Sequence, residues 1–266
     1  MHYLYITVIT LSCDEEGDNI PLLQAGKKEF DCSAVLLDKD GTLLDFRIMW
    51  LEWSKYVINE LLSKIGQVKI ISNSLEKAMG VDLTGWQVDP EGPLAGGTMT
   101  GLRVALEETL AGAGMTPEAA AALVIEVLRR SETEMDWGAL ARPMPGLEEK
   151  LFNLKLKNFK LAVVTADLAE RSKITLKALK LDQYFDTIIG ADLVKNTKPY
   201  PDMALLACGR LGVTPGDAVV IGDSPRDILM AKNAGSGSIG VLSGVSTGDQ
   251  LAGADVIIPS VVDLQT

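Results

Sequence analysis

Short apolar runs recur along the chain, at 34–37, 161–164, 187–189, 218–221, 238–242 and 255–258. Each is too brief for a helix and rich in β-branched residues, the composition of a parallel strand buried on both faces. Between the later runs lie amphipathic segments of helical length, near 146–158, 168–180, 200–212 and 225–234. Alternation of this kind predicts βαβ units and an α/β fold built on a doubly wound parallel sheet.

The interval between the first and second runs has a different pattern. Ile48, Leu51, Ile58, Leu61, Leu62 and Ile65 fall on one face of a helix over 47–65. A second helix is expected over 99–111. A third opens at Thr116-Pro117-Glu118, with Thr as N-cap and Pro at the first helical position, and runs to about 132. Strand signals are scarce here, so residues 46–145 read as a helical domain inserted after the first strand. The catalytic core is then 31–45 together with 146–266, and 1–30 is an N-terminal extension with an acidic stretch at 14–18. Arg142-Pro143-Met144-Pro145-Gly146 is the expected return hinge, because its prolines end the preceding helix and stiffen the chain.

Composition narrows the chemistry. A net charge of −11 argues against nucleic acid as a partner, since phosphate-backbone binding needs a basic surface. Small anions stay within reach, because a bound cation and a few lysines reverse the field locally. The sole histidine, His2, lies at the terminus, which excludes Ser-His-Asp hydrolysis, HExxH proteases and histidine-rich zinc sites. Cys13, Cys32 and Cys208 are too few and too scattered for a disulfide or metal framework and fit a reducing cytosol. No run has transmembrane length, and no Lys or Arg precedes the apolar start at 3–11, so the expected location is cytoplasmic, without a membrane partner.

Four segments carry candidate chemistry, each following an apolar run. Asp38-Lys39-Asp40-Gly41-Thr42-Leu43 follows the first. It puts two carboxylates where α/β sheets bind ligands, with Gly41 free to turn the chain away. One carboxylate can attack phosphorus while the other serves as acid and base. Thr165 follows the second strand and could donate a hydroxyl to a phosphoryl oxygen, although taken alone an ordinary helix N-cap is the favoured reading. Lys198, in Thr197-Lys198-Pro199-Tyr200-Pro201-Asp202, is a compact charge suited to phosphate and to a carboxylate nucleophile, with Lys195 a nearby decoy. Gly222-Asp223-Ser224-Pro225-Arg226-Asp227 puts Asp223 at a strand end and Asp227 one helical turn later. Hard oxygen ligands of this kind suit Mg²⁺, and a buried cluster of acids calls for a cation.

Together these segments resemble the haloacid dehalogenase-like (HAD) superfamily, in particular its phosphatases with a helical cap after the first strand. The resemblance covers roughly residues 33–264. It implies Asp38 as nucleophile and Mg²⁺ ligand, and Asp40 as general acid/base with its backbone carbonyl on the metal. Thr165 and Lys198 would hold the transferring phosphoryl group, Asp223 would ligate Mg²⁺, and Asp227 would support it. The acid at Asp40 suits phosphoryl transfer, since the dehalogenases of the family lack this Asp-x-Asp pair. Ile239-Gly240-Val241, Gly244-Val245 and Gly253-Ala254-Asp255 look like phosphoglycolate phosphatases, although Ala166 stands where those proteins often carry Asn. The resemblance thus implies Mg²⁺-dependent hydrolysis of a small phosphorylated metabolite through an aspartyl-phosphate, with 2-phosphoglycolate the leading substrate. A phosphosugar mutase of the β-phosphoglucomutase kind, a phosphonate hydrolase using Lys55, and a non-catalytic binding module are the alternatives. Arg47, Trp50 and Trp53 begin the inserted helix near the catalytic loop, where Trp at helical spacing more often packs a core than meets substrate. The Gly/Pro-rich stretch 85–101 reads either as a cap loop reaching the site or as a plain connection.

Overall fold

The computed structural model describes residues 21–65 and 69–266. It opens with an antiparallel hairpin, β1 (Leu22–Ala25) and β2 (Lys28–Asp31), turned at Gly26 with φ +58°. The boundary drawn at residue 30 therefore gives way. Leu23 and Ala25 are fully buried in the main core, and Gln24 exchanges backbone hydrogen bonds of 2.9 and 2.8 Å with Gln265. Strands of four residues leave too short an alternation to register as a sheet element in sequence. His2, Cys13, the acidic stretch at 14–18 and the apolar start lie outside the described residues.

From β3 (Ala34–Leu37) the chain leaves the sheet for α1 (Phe46–Ile65), α2 (Lys69–Met79), β4 (Val81–Asp82), β5 (Gln87–Val88), α3 (Met99–Gly112), α4 (Pro117–Glu134) and α5 (Trp137–Leu140). Helix α1 packs on α2 and α4, and α3 on α2 and α4, around Leu61, Leu75, Leu102, Leu106, Leu110 and Val124. Thr98 and Thr116 cap α3 and α4, each side chain accepting a backbone N–H three residues on. The outgoing and returning strands run side by side: Asp45 N–H donates to Arg142 O (2.8 Å) and Met144 N–H to Leu43 O (2.9 Å).

The return leads through α6 (Leu147–Leu156), β6 (Lys160–Val164), α7 (Ala169–Ala178), β7 (Thr187–Ile189), α8 (Asp202–Leu211), β8 (Ala218–Gly222), α9 (Pro225–Ala234), β9 (Gly237–Val241) and β10 (Val256–Ile258). Six strands form one parallel sheet in the order β10-β9-β8-β3-β6-β7. All four β3 residues are fully buried, and the pleat deals them to opposite faces. Val35 and Leu37 join the core on the α6 and hairpin side. Ala34 and Leu36 join the smaller core formed with α8 and α9. This two-sided burial is what the unbroken apolar runs encode. Chain order reverses beside β3, where β6 and β7 lie to one side and β8 to the other. That is the switch point at which open sheets gather ligands.

Candidate active site

The four chemistry-bearing segments meet at the carboxyl edge of the sheet. Asp38 follows β3 directly, Thr165 follows β6, Asp223 follows β8, and Lys198 stands in the loop between β7 and α8. After Asp38 the chain folds sharply, with the Leu43 and Leu44 N–H groups both donating to Lys39 O at 2.9 Å. Gly41 sits at φ +92°, and a Cβ there would overlap the Asp223 carboxylate; a Cβ on Gly244 would overlap it from elsewhere. Bare backbone at both places is what lets Asp223 approach the first loop.

Asp38, Asp223 and Asp227 are all buried, and a carboxylate oxygen from each lies within 4.8 Å of the others. Lys198 Nζ is 2.6 Å from Asp38 Oδ1 and 2.5 Å from Asp227 Oδ1. The other Asp227 oxygen accepts from Ser224 Oγ (2.6 Å) and Ser224 N (3.2 Å), completing a capping box at the start of α9. Both Asp227 oxygens are thus engaged, and its support reaches the site through Lys198. Asp223 Oδ2 accepts the Val245 N–H at 3.3 Å.

Burial raises the Asp38 carboxyl to about 7 against the opposing pull of Lys198, with Asp227 adding to the rise. Asp223 is raised well above its ordinary value by burial, then by Asp38 and Asp227. Burial lowers the Lys198 ammonium, but Asp227 and Asp38 outweigh it and raise the group overall. Three buried acids facing one ammonium leave uncompensated negative charge, and the donors are hard oxygens. Asp38 and Asp223 therefore fit a divalent cation of the Mg²⁺ type.

Asp40 belongs to a second charged group. Its Oδ1 is 2.8 Å from Lys39 Nζ, which lies 3.0 Å from Asp167 Oδ2; Lys39 has no exposure at all. Arg171 Nε donates to Asp167 Oδ1 at 2.5 Å, and Arg171 Nη1 reaches Glu132 Oε2 of α4 at 2.5 Å. The guanidinium sits over the rings of Trp137 (4.5 Å) and Trp50 (5.7 Å). Thr165 Oγ1 accepts the Asp167 N–H at 3.1 Å, which ties this group to the predicted phosphate-binding threonine. Sequence reasoning missed Lys39, Asp167 and Arg171. The signal available was the i,i+4 spacing of Asp167 and Arg171 and a lysine held between two motif acids.

The remaining candidates sort by packing. Trp53 is buried, its indole donating to Ser131 Oγ at 3.0 Å, and Trp50 meets Trp53 edge-on and Phe46 and Trp137 at a tilt. Arg47 and Lys195 are exposed, and Lys55 pairs at the surface with Glu52. The Gly/Pro-rich stretch does reach the core: Arg226 Nη1 donates to Gly97 O (2.8 Å), while its Nε and Nη2 hold Lys198 O.

The family model for haloacid dehalogenase-like hydrolases matches residues 32–235. The "Probable phosphatase IndB" of Dickeya dadantii (strain 3937) is 44% identical over 111 residues, 42% of this chain and 48% of that protein. The "Phosphoglycolate phosphatase" of Escherichia coli (strain K12) is 38% identical over 122 residues, 45% of this chain and 48% of that protein. The chain thus spans about half the length of the curated relatives it matches. A crystal structure from Haemophilus somnus 129PT, named a "predicted phosphoglycolate phosphatase", superposes with a TM-score of 0.67 at 22% identity, over 87% of this chain and 96% of that one, and supports the fold.

Proposed function

Because the chain belongs to the haloacid dehalogenase-like hydrolase family, we propose that it is a Mg²⁺-dependent phosphatase acting on a small phosphomonoester through Asp38. The observation that carries this reading is the strand-end Asp38 carboxylate, clamped by Lys198 beside Asp223. Asp38 attacks phosphorus, the ester P–O bond breaks, and Asp40 gives a proton to the leaving oxygen. Water then attacks the aspartyl-phosphate, Asp40 takes its proton, and Asp38 is released with inorganic phosphate. Thr165 and Lys198 hold the phosphoryl oxygens; Lys198 also keeps the nucleophile aimed. Asp38 and Asp223, with the Asp40 carbonyl, would hold Mg²⁺, and Asp227 would keep Lys198 in place. When bound, the ion offsets charge between carboxylate and phosphoryl group.

Residues 46–145 act as the cap, over a core formed by 146–266 and 22–45, the hairpin included. Among relatives, the name phosphoglycolate phosphatase makes 2-phosphoglycolate the first substrate to try. A cytoplasmic setting suits such a metabolite; among the described residues, no helix is long and apolar enough to cross a membrane. The experiment is phosphate release from a panel of phosphomonoesters, with Mg²⁺ and with EDTA. The panel includes 2-phosphoglycolate, sugar phosphates, nucleotides, pyrophosphate and phosphonoacetaldehyde. Metal-dependent release with one favourite supports the reading. Interconversion of sugar phosphates without release would overturn it in favour of a mutase.

A further inference from the structure

Fully buried lysines are rare, because an ammonium taken from water must be met by matching charge. Lys39 is met twice, by Asp40 at 2.8 Å and Asp167 at 3.0 Å. Asp167 is held in turn by Arg171, whose guanidinium leaves α7 and ends on Glu132, between Trp50 and Trp137. Those three partners all belong to the inserted helical segment. An unbroken line of alternating charge therefore runs from that segment to the carboxylate read as the general acid/base. Removing an inner member would leave its neighbour with one ion partner in place of two, so a loss at one link loosens the next.

We propose that Lys39 is the positioning residue that aims the Asp40 carboxylate, and that Asp167, Arg171 and Glu132 make its grip depend on the docked helical segment. The proposal rests on the phosphatase reading and adds a route by which seating of the helices completes the acid. Lys39 touches no reacting atom; it acts through Asp40. The Lys39 ammonium is fully buried between the Asp40 and Asp167 carboxylates, so its grip on Asp40 is one of direct ionic contact. Asp167 is held below the usual carboxylate range by Lys39 and Arg171 despite its burial.

The test uses leaving-group chemistry. An alkoxide needs a proton as it departs, whereas p-nitrophenolate leaves without one. A misaimed Asp40 therefore penalises alkyl phosphates selectively in kcat/KM, which ends at formation of the aspartyl-phosphate. Lys39→Met should lower kcat/KM for an alkyl phosphate about 10²-fold, within the usual worth of general acid catalysis, and for p-nitrophenyl phosphate only about threefold. Glu132→Gln, at an exposed position that does not threaten folding, should shift the same ratio about three- to tenfold, as should Arg171→Lys. Arg130→Gln, which breaks an ion pair internal to the helices with Glu60 and Glu134, should not shift it. Equal losses on both substrates in Lys39→Met would overturn the aiming role. An unchanged ratio in Glu132→Gln would overturn the link to the helical segment. Failure of the unaltered protein to release phosphate from either compound would instead refute the phosphatase reading.

Discussion

At the scale of single residues, the site is governed by acids kept from water. Asp38→Asn removes the proposed nucleophile and should cut phosphate release below about 10⁻³ of the unaltered rate. Its circular dichroism should be unchanged, because Lys198 keeps Asp227 as partner. A variant with substantial turnover would dismiss Asp38 as nucleophile. The same burial makes stability depend on pH. The Asp38 carboxyl titrates at about 7 in the fold against an ordinary value of 3.8, so the folded state binds the proton more tightly. That contribution is complete below about pH 4 and is lost as pH rises through 7. With EDTA present, the melting temperature should therefore fall between pH 5 and 8. Saturating Mg²⁺ should flatten the slope, raising the melting temperature more at pH 8 than at pH 5. A flat profile in EDTA would show that Asp38 is not raised.

Among elements, α9 joins fold and chemistry at one turn, since Ser224 both caps the helix and holds Asp227. Ser224→Ala should cost about 0.5–2 kcal/mol in denaturant unfolding and should also lower turnover by loosening Asp227 and Lys198. The comparable change at Ser260, whose capping box lies outside the site, should reduce stability alone. The parallel strands and the long helices were legible from sequence because each buries a regular stripe: α9 occupies 225–234 as expected, and β3 occupies 34–37. The hairpin, the β4–β5 ribbon and α5 were not legible, since such short elements depend on tertiary contacts that leave no period of their own; α2 did carry a helical stripe, Ile71, Leu75, Ala78 and Met79, that sequence reasoning missed. Within the site, Asp38, Thr165 and Asp223 stood out because each follows a strand, Lys198 because prolines flank it in the loop after β7, and Asp227 because it lies one helical turn beyond Asp223. Lys39 did not, because its place between Asp38 and Asp40 was the one local sign; its burial is completed by Asp167, far along the chain.

Taken whole, the molecule gathers its candidate site at the edge of the sheet, and the inserted helices are the proposed enclosure. The paired strands at 43–45 and 142–144, the ion line through Arg171, the Arg226–Gly97 contact and a Gln250–Glu91 hydrogen bond join them. The paired strands carry a consequence for re-engineering. Because Asp45 and Arg142 are hydrogen-bonded neighbours, everything between them is an excursion that departs and returns at one point. The entropy of closing that gap changes only slowly with the excursion's length, about 0.6 kcal/mol per doubling. Excising residues 46–141 and bridging the ends with a short glycine turn should leave a minimal sheet protein that still binds Mg²⁺ by calorimetry, yet shields no intermediate from bulk solvent. The same adjacency would let an unrelated module with closely spaced termini be grafted in its place.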